Sequence, residues 1–251
     1  MFLLVAATGF GADWGDLSVR FVLEGAIPSP KSIAVDKDQD VCGKQVIDEA
    51  VPVNPLNKGI GNVVVYLNVA MSEKKPPVHD DYKLDEKASV VLDNTKCRFE
   101  PRVVTLRTTQ TLIVGNKDPV GHNTKVDTFR NPGQNPVIPA GGQLKMNFPL
   151  EETSPAVPVS CGSHPWMKAH LIIKETPYMA VSNKDGNLSI KNLPVGNWTF
   201  QIWHEASGYV TEGNLKGNRT KWERGRAKLE IKPGGNDLGE IKLGHTIFEK
   251  K

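Results

Sequence analysis

The feature that most constrains this chain is a seven-residue loop, residues 161–167, which contains a cysteine, a histidine and a methionine. Cys161, His164 and Met167 supply a thiolate, an imidazole and a thioether. Soft sulfur ligands combined with imidazole favour copper, and two histidines with one cysteine and a weak axial methionine are typical of electron-transfer copper centres. His122 lies upstream, where a separate strand of one β-sandwich would supply the missing histidine. The loop therefore predicts a β-sandwich that holds a single copper ion.

The residues around this loop narrow the expected chemistry. Ser160 precedes Cys161, so the His-Cys dipeptide that couples such a site to a catalytic copper is absent, and the loop has no second cysteine for a binuclear centre. Zinc is disfavoured because structural zinc prefers closed sets of cysteine and histidine. Four protein ligands leave no open position for a substrate. We therefore expect one-electron transfer and no enzyme activity, the remaining enzymatic alternative being a Cys161 nucleophile with His164 as its base.

Further residues upstream carry a resemblance to a known family. They are Phe99-Glu100-Pro101, a strand that ends at Asn116, and the pair His122-Asn123. With the short Cys-x-x-His-Pro-aromatic-Met loop, they make residues 88–175 similar to cupredoxins, the amicyanin- and plastocyanin-like type 1 copper proteins. The resemblance implies a Greek-key sandwich with one type 1 (blue) copper. By it, His122, Cys161 and His164 are the equatorial ligands and Met167 is the axial ligand.

Four neighbours of the predicted ligands are expected to support the site or the electron path. Asn123 is placed to tie its strand to the Cys161 loop through Ser163, and the alternative is an ordinary turn asparagine. Pro165 and Trp166 are predicted to form part of an apolar patch through which electrons leave. The alternative is that Trp166 is a packed lid.

Composition and periodicity predict an all-β chain. The 251 residues include 23 glycines and 18 prolines, and they lack long stretches of helical period. This composition predicts short strands joined by turns. The strands between residues 88 and 175 are predicted to form a small antiparallel Greek-key sandwich. The net charge of +3 is too small to indicate nucleic-acid binding.

The flanks are predicted to form a second sandwich. Asp185-Gly186 favours a tight hairpin because Asp-Gly accepts positive φ, and the Leu-Pro-x-Gly turn at residues 193–196 precedes an aromatic strand. Residues 176–243 thereby resemble carboxypeptidase regulatory-like, transthyretin-type modules. Strands predicted at residues 17–23 and 62–69 have the same character. We hypothesise that residues 15–87 and 176–249 form one discontinuous sandwich with the cupredoxin inserted, and the alternative is three sequential pieces.

Two features favour an exported protein, in the periplasm or an equivalent compartment. Residues 1–14 open with an apolar run of about the length of a signal-peptide core, although a basic start is missing. If Cys161 binds metal, Cys42 and Cys97 remain as an even pair, and an oxidising compartment would let them form a disulfide. The alternative is two buried thiols.

The sequence thus predicts an exported mononuclear copper protein that exchanges electrons with a redox partner, such as a c-type cytochrome or a dehydrogenase. The alternative is a copper carrier or store, or a structural binding module without a redox role. A second metal site at Trp203-His204-Glu205 is a weaker possibility than a structural histidine. The basic run from Lys216 to Lys228 is expected to be a solvated hairpin, with docking to an acidic partner as the alternative.

Overall fold

The computed structural model describes residues 14–70 and 72–249. The predicted signal-peptide segment, residues 1–14, lies outside this part of the chain except for Trp14, which begins the first strand. Among the described residues, no helix has the length and apolar character needed to cross a membrane.

Strands dominate the described chain. The segments before residue 88 are β1 (Trp14–Glu24), β2 (Ser32–Ala34), the short helix α1 (Gln39–Cys42), β3 (Gln45–Ile47) and β4 (Val64–Leu67). The strands of the middle segment are β5 (Ser89–Thr95), β6 (Arg98–Glu100), β7 (Val103–Arg107), β8 (Thr111–Asn116), β9 (His122–Asn123), β10 (Lys125–Val126), β11 (Val137–Ile138), β12 (Gln143–Asn147), β13 (Val157–Ser160) and β14 (Lys168–Lys174).

The last segment contains eight further strands among the described residues. They are β15 (Met179–Val181), β16 (Asn187–Pro194), β17 (Gly196–His204), β18 (Gly208–Tyr209), β19 (Glu212–Leu215), β20 (Asn218–Lys221), β21 (Arg226–Ile231) and β22 (Gly234–Gly244). Short 3-10 turns occupy Asp80–Lys83, Glu223–Gly225 and His245–Phe248.

The middle segment folds into a sandwich of two four-stranded sheets. One sheet has the order β12-β8-β5-β6 and the other β10-β13-β14-β7, with β9 and β11 pairing beside them. The sequence predicted an antiparallel sandwich, but β5 pairs with β8, and β14 with β7, in parallel. Each parallel pair joins strands that are not consecutive, so a connection crosses between the sheets.

The second sandwich combines the start of the chain with its end. Its sheets have the orders β16-β1-β22-β19-β20 and β15-β4-β17-β18, and β21 also pairs with β17. β1 and β4 therefore pair with strands beyond residue 176, which is the pairing that the insertion hypothesis requires. The tight turn at Gly186, with a φ of 82°, brings this hairpin against β1, where the Phe21 amide donates to the Gly186 carbonyl at 2.8 Å.

The two sandwiches stack so that their facing sheets are buried on both sides. In β14, Leu171 and Ile173 belong to the core of the first sandwich, whereas Ile172 packs in a separate apolar cluster with Tyr66 and Trp203 of the second sandwich. Side chains alternate across a strand, so one strand serves both contacts. Four β layers result.

One part of the predicted second sandwich belongs instead to the first. Residues 32–47 contain the β2–β3 hairpin and α1, and three of their side chains, Val35, Cys42 and Val46, lie in the core of the first sandwich. Cys42 also forms a disulfide with Cys97. The assignment of all of residues 15–87 to the flanking sandwich is therefore wrong for this segment, because its apolar side chains and a covalent bond hold it elsewhere.

Candidate metal centre

Three strand ends bring the predicted ligands together. His122 begins β9, Cys161 directly follows β13, and Met167 directly precedes β14. Because β13 and β14 are antiparallel neighbours, the loop that joins them closes on itself. The Cys161 amide donates to the Met167 carbonyl at 3.3 Å, and the Met167 amide donates to the His164 carbonyl at 2.9 Å.

The ligand atoms converge in a buried space. His122 Nδ1 lies 2.9 Å from His164 Nδ1, and the latter lies 3.6 Å from Cys161 Sγ. Both histidines are fully buried, and Cys161 and Met167 are 2% and 1% exposed. Burial lowers the pKa of His122, although the hydrogen bond that its ring donates to Asp118 acts in the opposite direction. The lowered pKa favours the neutral ring that a metal requires.

In each of the two histidine rings, the hydrogen bond made by Nε2 determines whether Nδ1 carries a proton. His122 Nε2 lies 2.9 Å from Asp118 Oδ2, and His164 Nε2 lies 2.8 Å from Asp38 Oδ2. A carboxylate only accepts hydrogen bonds, so in each neutral ring the proton resides on Nε2. Both Nδ1 atoms then direct lone pairs, and Cys161 its sulfur, into the same space. Such an arrangement calls for a cation, and two imidazoles with a thiolate fit copper.

Asp118 is held by a network of its own. Its Oδ1 accepts from the Lys96 amide at 2.6 Å, and its Oδ2 accepts from the Cys97 amide at 2.8 Å as well as from His122. The preceding strand end is fixed by buried Asn116, whose side-chain amide donates to the Val120 and Ile138 carbonyls. These bonds set the direction of the His122 ring.

Asn123 joins the His122 strand to the Cys161 loop, as the sequence predicted. Its Oδ1 accepts from the Gly162 amide at 2.8 Å and from the Ser163 amide at 3.3 Å, and it also lies 3.3 Å from Cys161 Sγ. Ser163 takes part through its backbone. Asn123 Nδ2 in turn donates to Asn135 at 2.5 Å.

Trp166 does not line an exposed patch. It is only 9% exposed, and its Nε1 donates to the Cys97 carbonyl at 3.1 Å. The burial of Trp166 contradicts the predicted exposed apolar patch at this residue and fits the packed alternative. Pro165 is exposed.

Elsewhere, the described residues do not form a second metal site. Besides His122, Cys161 and His164, a second set of side chains, Cys97, Asp118 and His122, lies close enough together to hold a metal. It does not form a separate site because Cys97 is bonded to Cys42. Glu205 forms a two-bond ion pair with Arg102, at 2.5 Å for each bond, and His204 is fully buried. The basic run begins after β19, in the turn of the antiparallel β19–β20 hairpin, and its six lysine and arginine side chains are exposed.

Sequence reasoning missed both carboxylates. The Asp118-Pro119 dipeptide by itself predicts only a turn, although its spacing of four from His122 is a usable signal. Asp38 lies 126 residues from His164, and no local pattern marks it.

Comparisons with known proteins returned only partial structural matches. No protein-family model matches the chain, and no curated protein matches it. An amicyanin variant with Cu(I) is 14% identical, with 35% of this chain and 84% of that chain covered and a TM-score of 0.30. A purple cupredoxin from Nitrosopumilus maritimus is 18% identical, with 35% and 100% covered and a TM-score of 0.28. A copper-containing nitrite reductase from Thermus scotoductus SA-01 is 17% identical, with 43% and 25% covered and a TM-score of 0.30.

The middle segment is thus a sandwich of two four-stranded sheets that groups His122, Cys161 and His164, with Met167 buried at the end of the same loop.

Proposed function

We propose that this protein binds one type 1 copper ion and transfers single electrons between redox partners. The observation that carries the proposal is the convergence of two Nδ1 lone pairs and the only free cysteine among the described residues. In this proposal Met167 would supply a weak thioether ligand. Bound copper would alternate between Cu(II) and Cu(I), which supplies the one-electron chemistry.

The chain's own residues suit this role by holding the ligands still. Both rings are fixed at their outer nitrogens, and the Cys161 loop is fixed by Asn123 and by its own backbone. Ligands that are fixed by surrounding hydrogen bonds keep their positions and tune the metal. Burial of all four side chains excludes water, so no position for a substrate is evident among them.

We further propose export and a protein partner. The Cys42–Cys97 disulfide supports an oxidising compartment such as the periplasm, because disulfides persist there. A c-type cytochrome or a dehydrogenase would be a suitable partner. Carriage or storage of copper is the second candidate, favoured by the complete burial of both histidines, which limits direct contact with a partner.

The test is copper titration of the purified protein. We expect one copper per chain and an intense visible band from thiolate-to-copper charge transfer. Cys161→Ser should abolish the band, since it removes the thiolate, while leaving the Cys42–Cys97 disulfide intact by mass analysis. An intense band that persists in Cys161→Ser would contradict the assigned site.

A further inference from the structure

The ring of His164 is closed off from solvent by a segment that lies outside the β13–β14 loop. His164 is fully buried, and its Nε2 contacts the side chain of Asp38, which is 31% exposed. Asp38 therefore separates the outer edge of the ring from solvent. Because His164 is a proposed copper ligand, any role of Asp38 at the metal rests on the proposed function.

The backbone fixes Asp38 in place. It occupies the residue before α1 with a φ of 53°, in the left-handed region that aspartate tolerates better than most residues. Its carbonyl accepts from the Cys42 amide at 2.8 Å. The Gln39 side chain donates to the Val35 carbonyl at 2.6 Å, which anchors the turn to the buried Val35. The carboxylate is consequently presented to His164 by a hydrogen-bonded turn.

One disulfide connects this turn with the support of the other histidine. Cys42 is bonded to Cys97, and the Cys97 amide donates to the same Asp118 oxygen that contacts His122. Trp166, in the ligand loop, donates to the Cys97 carbonyl. The Cys42–Cys97 disulfide thus links the turn that carries Asp38 to the turn that holds the Asp118 carboxylate.

We propose that Asp38 is a positioning residue for the copper site. It holds His164 as the Nε2–H tautomer, so that Nδ1 is free to bind the metal, and it fixes the plane of the ring. The negative charge close to the ring also favours Cu(II) over Cu(I), because the more highly charged ion gains more from it. Loss of such an outer partner typically lowers metal affinity about 10- to 100-fold.

The first test uses metal-free protein and does not depend on copper. Nitrogen-15 NMR of the histidine rings should show His164 as the Nε2–H tautomer in the wild type. Asp38→Gly keeps the positive φ accessible and removes the carboxylate, so it should give a mixture of tautomers. Asp38→Asn, whose amide oxygen accepts the same hydrogen bond, should retain the Nε2–H form.

The second test uses copper-loaded protein. Asp38→Gly should bind copper about 10- to 100-fold more weakly, and both variants should have a higher reduction potential than the wild type. Asp40→Asn, an exposed carboxylate in α1, is the matched control and should change neither quantity.

Two results would overturn the proposal. One is a wild-type tautomer and copper affinity in Asp38→Gly; the other is a wild-type reduction potential in Asp38→Asn. If the wild-type protein binds no copper, the proposed function fails, while the tautomer measurement still decides the role of Asp38. A merely structural role for the turn would leave the tautomer of any folded variant unchanged.

Discussion

The Cys161 loop is stabilised by one large aromatic side chain as well as by its backbone. Trp166 sits 5.3 Å from the His164 ring, measured between ring centroids, and packs in the core of the first sandwich. Its indole N–H is satisfied by the Cys97 carbonyl. A tryptophan in this environment contributes mainly through buried apolar area.

Trp166→Ala should therefore lower the free energy of unfolding of the metal-free protein by about 3–5 kcal/mol, because it leaves a cavity in a packed core. Urea denaturation without copper is the measurement, since bound metal would add its own stabilisation. Pro165→Ala, at the exposed neighbouring position, should stay within about 0.5 kcal/mol of the wild type. Equal small losses in both variants would show that Trp166 is not a packed residue.

At this scale the sequence predicted the contiguous residues of the site and missed the distant ones. Cys161, His164 and Met167 share one loop, so their spacing alone indicated a site. Asp38 is brought to His164 only by the fold, and neither residue signals the other locally. The exposure of Trp166 was predicted wrongly because the turn at residue 97, whose carbonyl accepts its indole N–H, comes from the other sheet of the sandwich.

Among the structural elements, residues 32–47 have no regular strand pairing with the sheets of the first sandwich. β2 and β3 pair only with each other, and α1 has a single turn. Their attachment to the first sandwich depends on a few apolar side chains, among them Val35 and Val46, and on the Cys42–Cys97 disulfide. The bond closes a loop with a sequence separation of 55, so it restricts the unfolded chain considerably.

Replacing both cysteines, as Cys42→Ala with Cys97→Ala, should lower the free energy of unfolding by about 4 kcal/mol, the loop-closure value for this separation. Hydrogen exchange should become faster across residues 32–47 than across β13 and β14. A reductant should have the same effect on the wild type and none on the double variant. Unchanged exchange in residues 32–47 would mean that apolar packing alone holds the segment.

For some strands, the periodicity of apolar residues was sufficient to predict the element and its buried face. The alternating residues of β1 bury Leu17, Val19, Phe21 and Leu23, as a half-buried strand should. The run at residues 62–69 indicated a central strand, and β4 is buried on both faces. Periodicity did not reveal which sandwich residues 32–47 join, because short strands with few apolar residues carry no information about their partners.

At the scale of the whole molecule, the second sandwich buries one histidine completely, and the junction between the sandwiches partly buries another, which packs on Trp203. His204, at the end of β17, is fully buried, and this burial lowers its pKa to about 4. Burial also lowers the pKa of nearby His170. Both rings are therefore neutral in the folded protein at neutral pH, whereas an unfolded histidine has a pKa of about 6.5.

Stability should fall as the pH decreases from about 6.5 toward 4, because the unfolded chain then binds protons that the folded chain excludes. The contribution of one such histidine reaches about 1.4 kcal/mol per pH unit in that window. Denaturation of metal-free protein at several pH values measures it. His204→Gln should reduce the slope by one proton, and an unchanged slope would show that His204 is protonated when folded.

The overall all-β class was predictable from the glycine and proline content and from the short alternating runs. The stacking of two sandwiches was not, since it depends on Ile172, Tyr66 and Trp203, whose pattern is that of any buried strand. The parallel pairing of β14 with β7 was also missed. Sequence alternation fixes which side chains share a face and leaves strand order undetermined.

The most direct test of the central claim is a spectroelectrochemical titration of the copper-loaded protein. We predict that the visible band bleaches and returns reversibly with a one-electron dependence on potential, without loss of copper. A colourless protein that binds Cu(I) tightly and cannot be cycled would contradict electron transfer and favour a copper carrier.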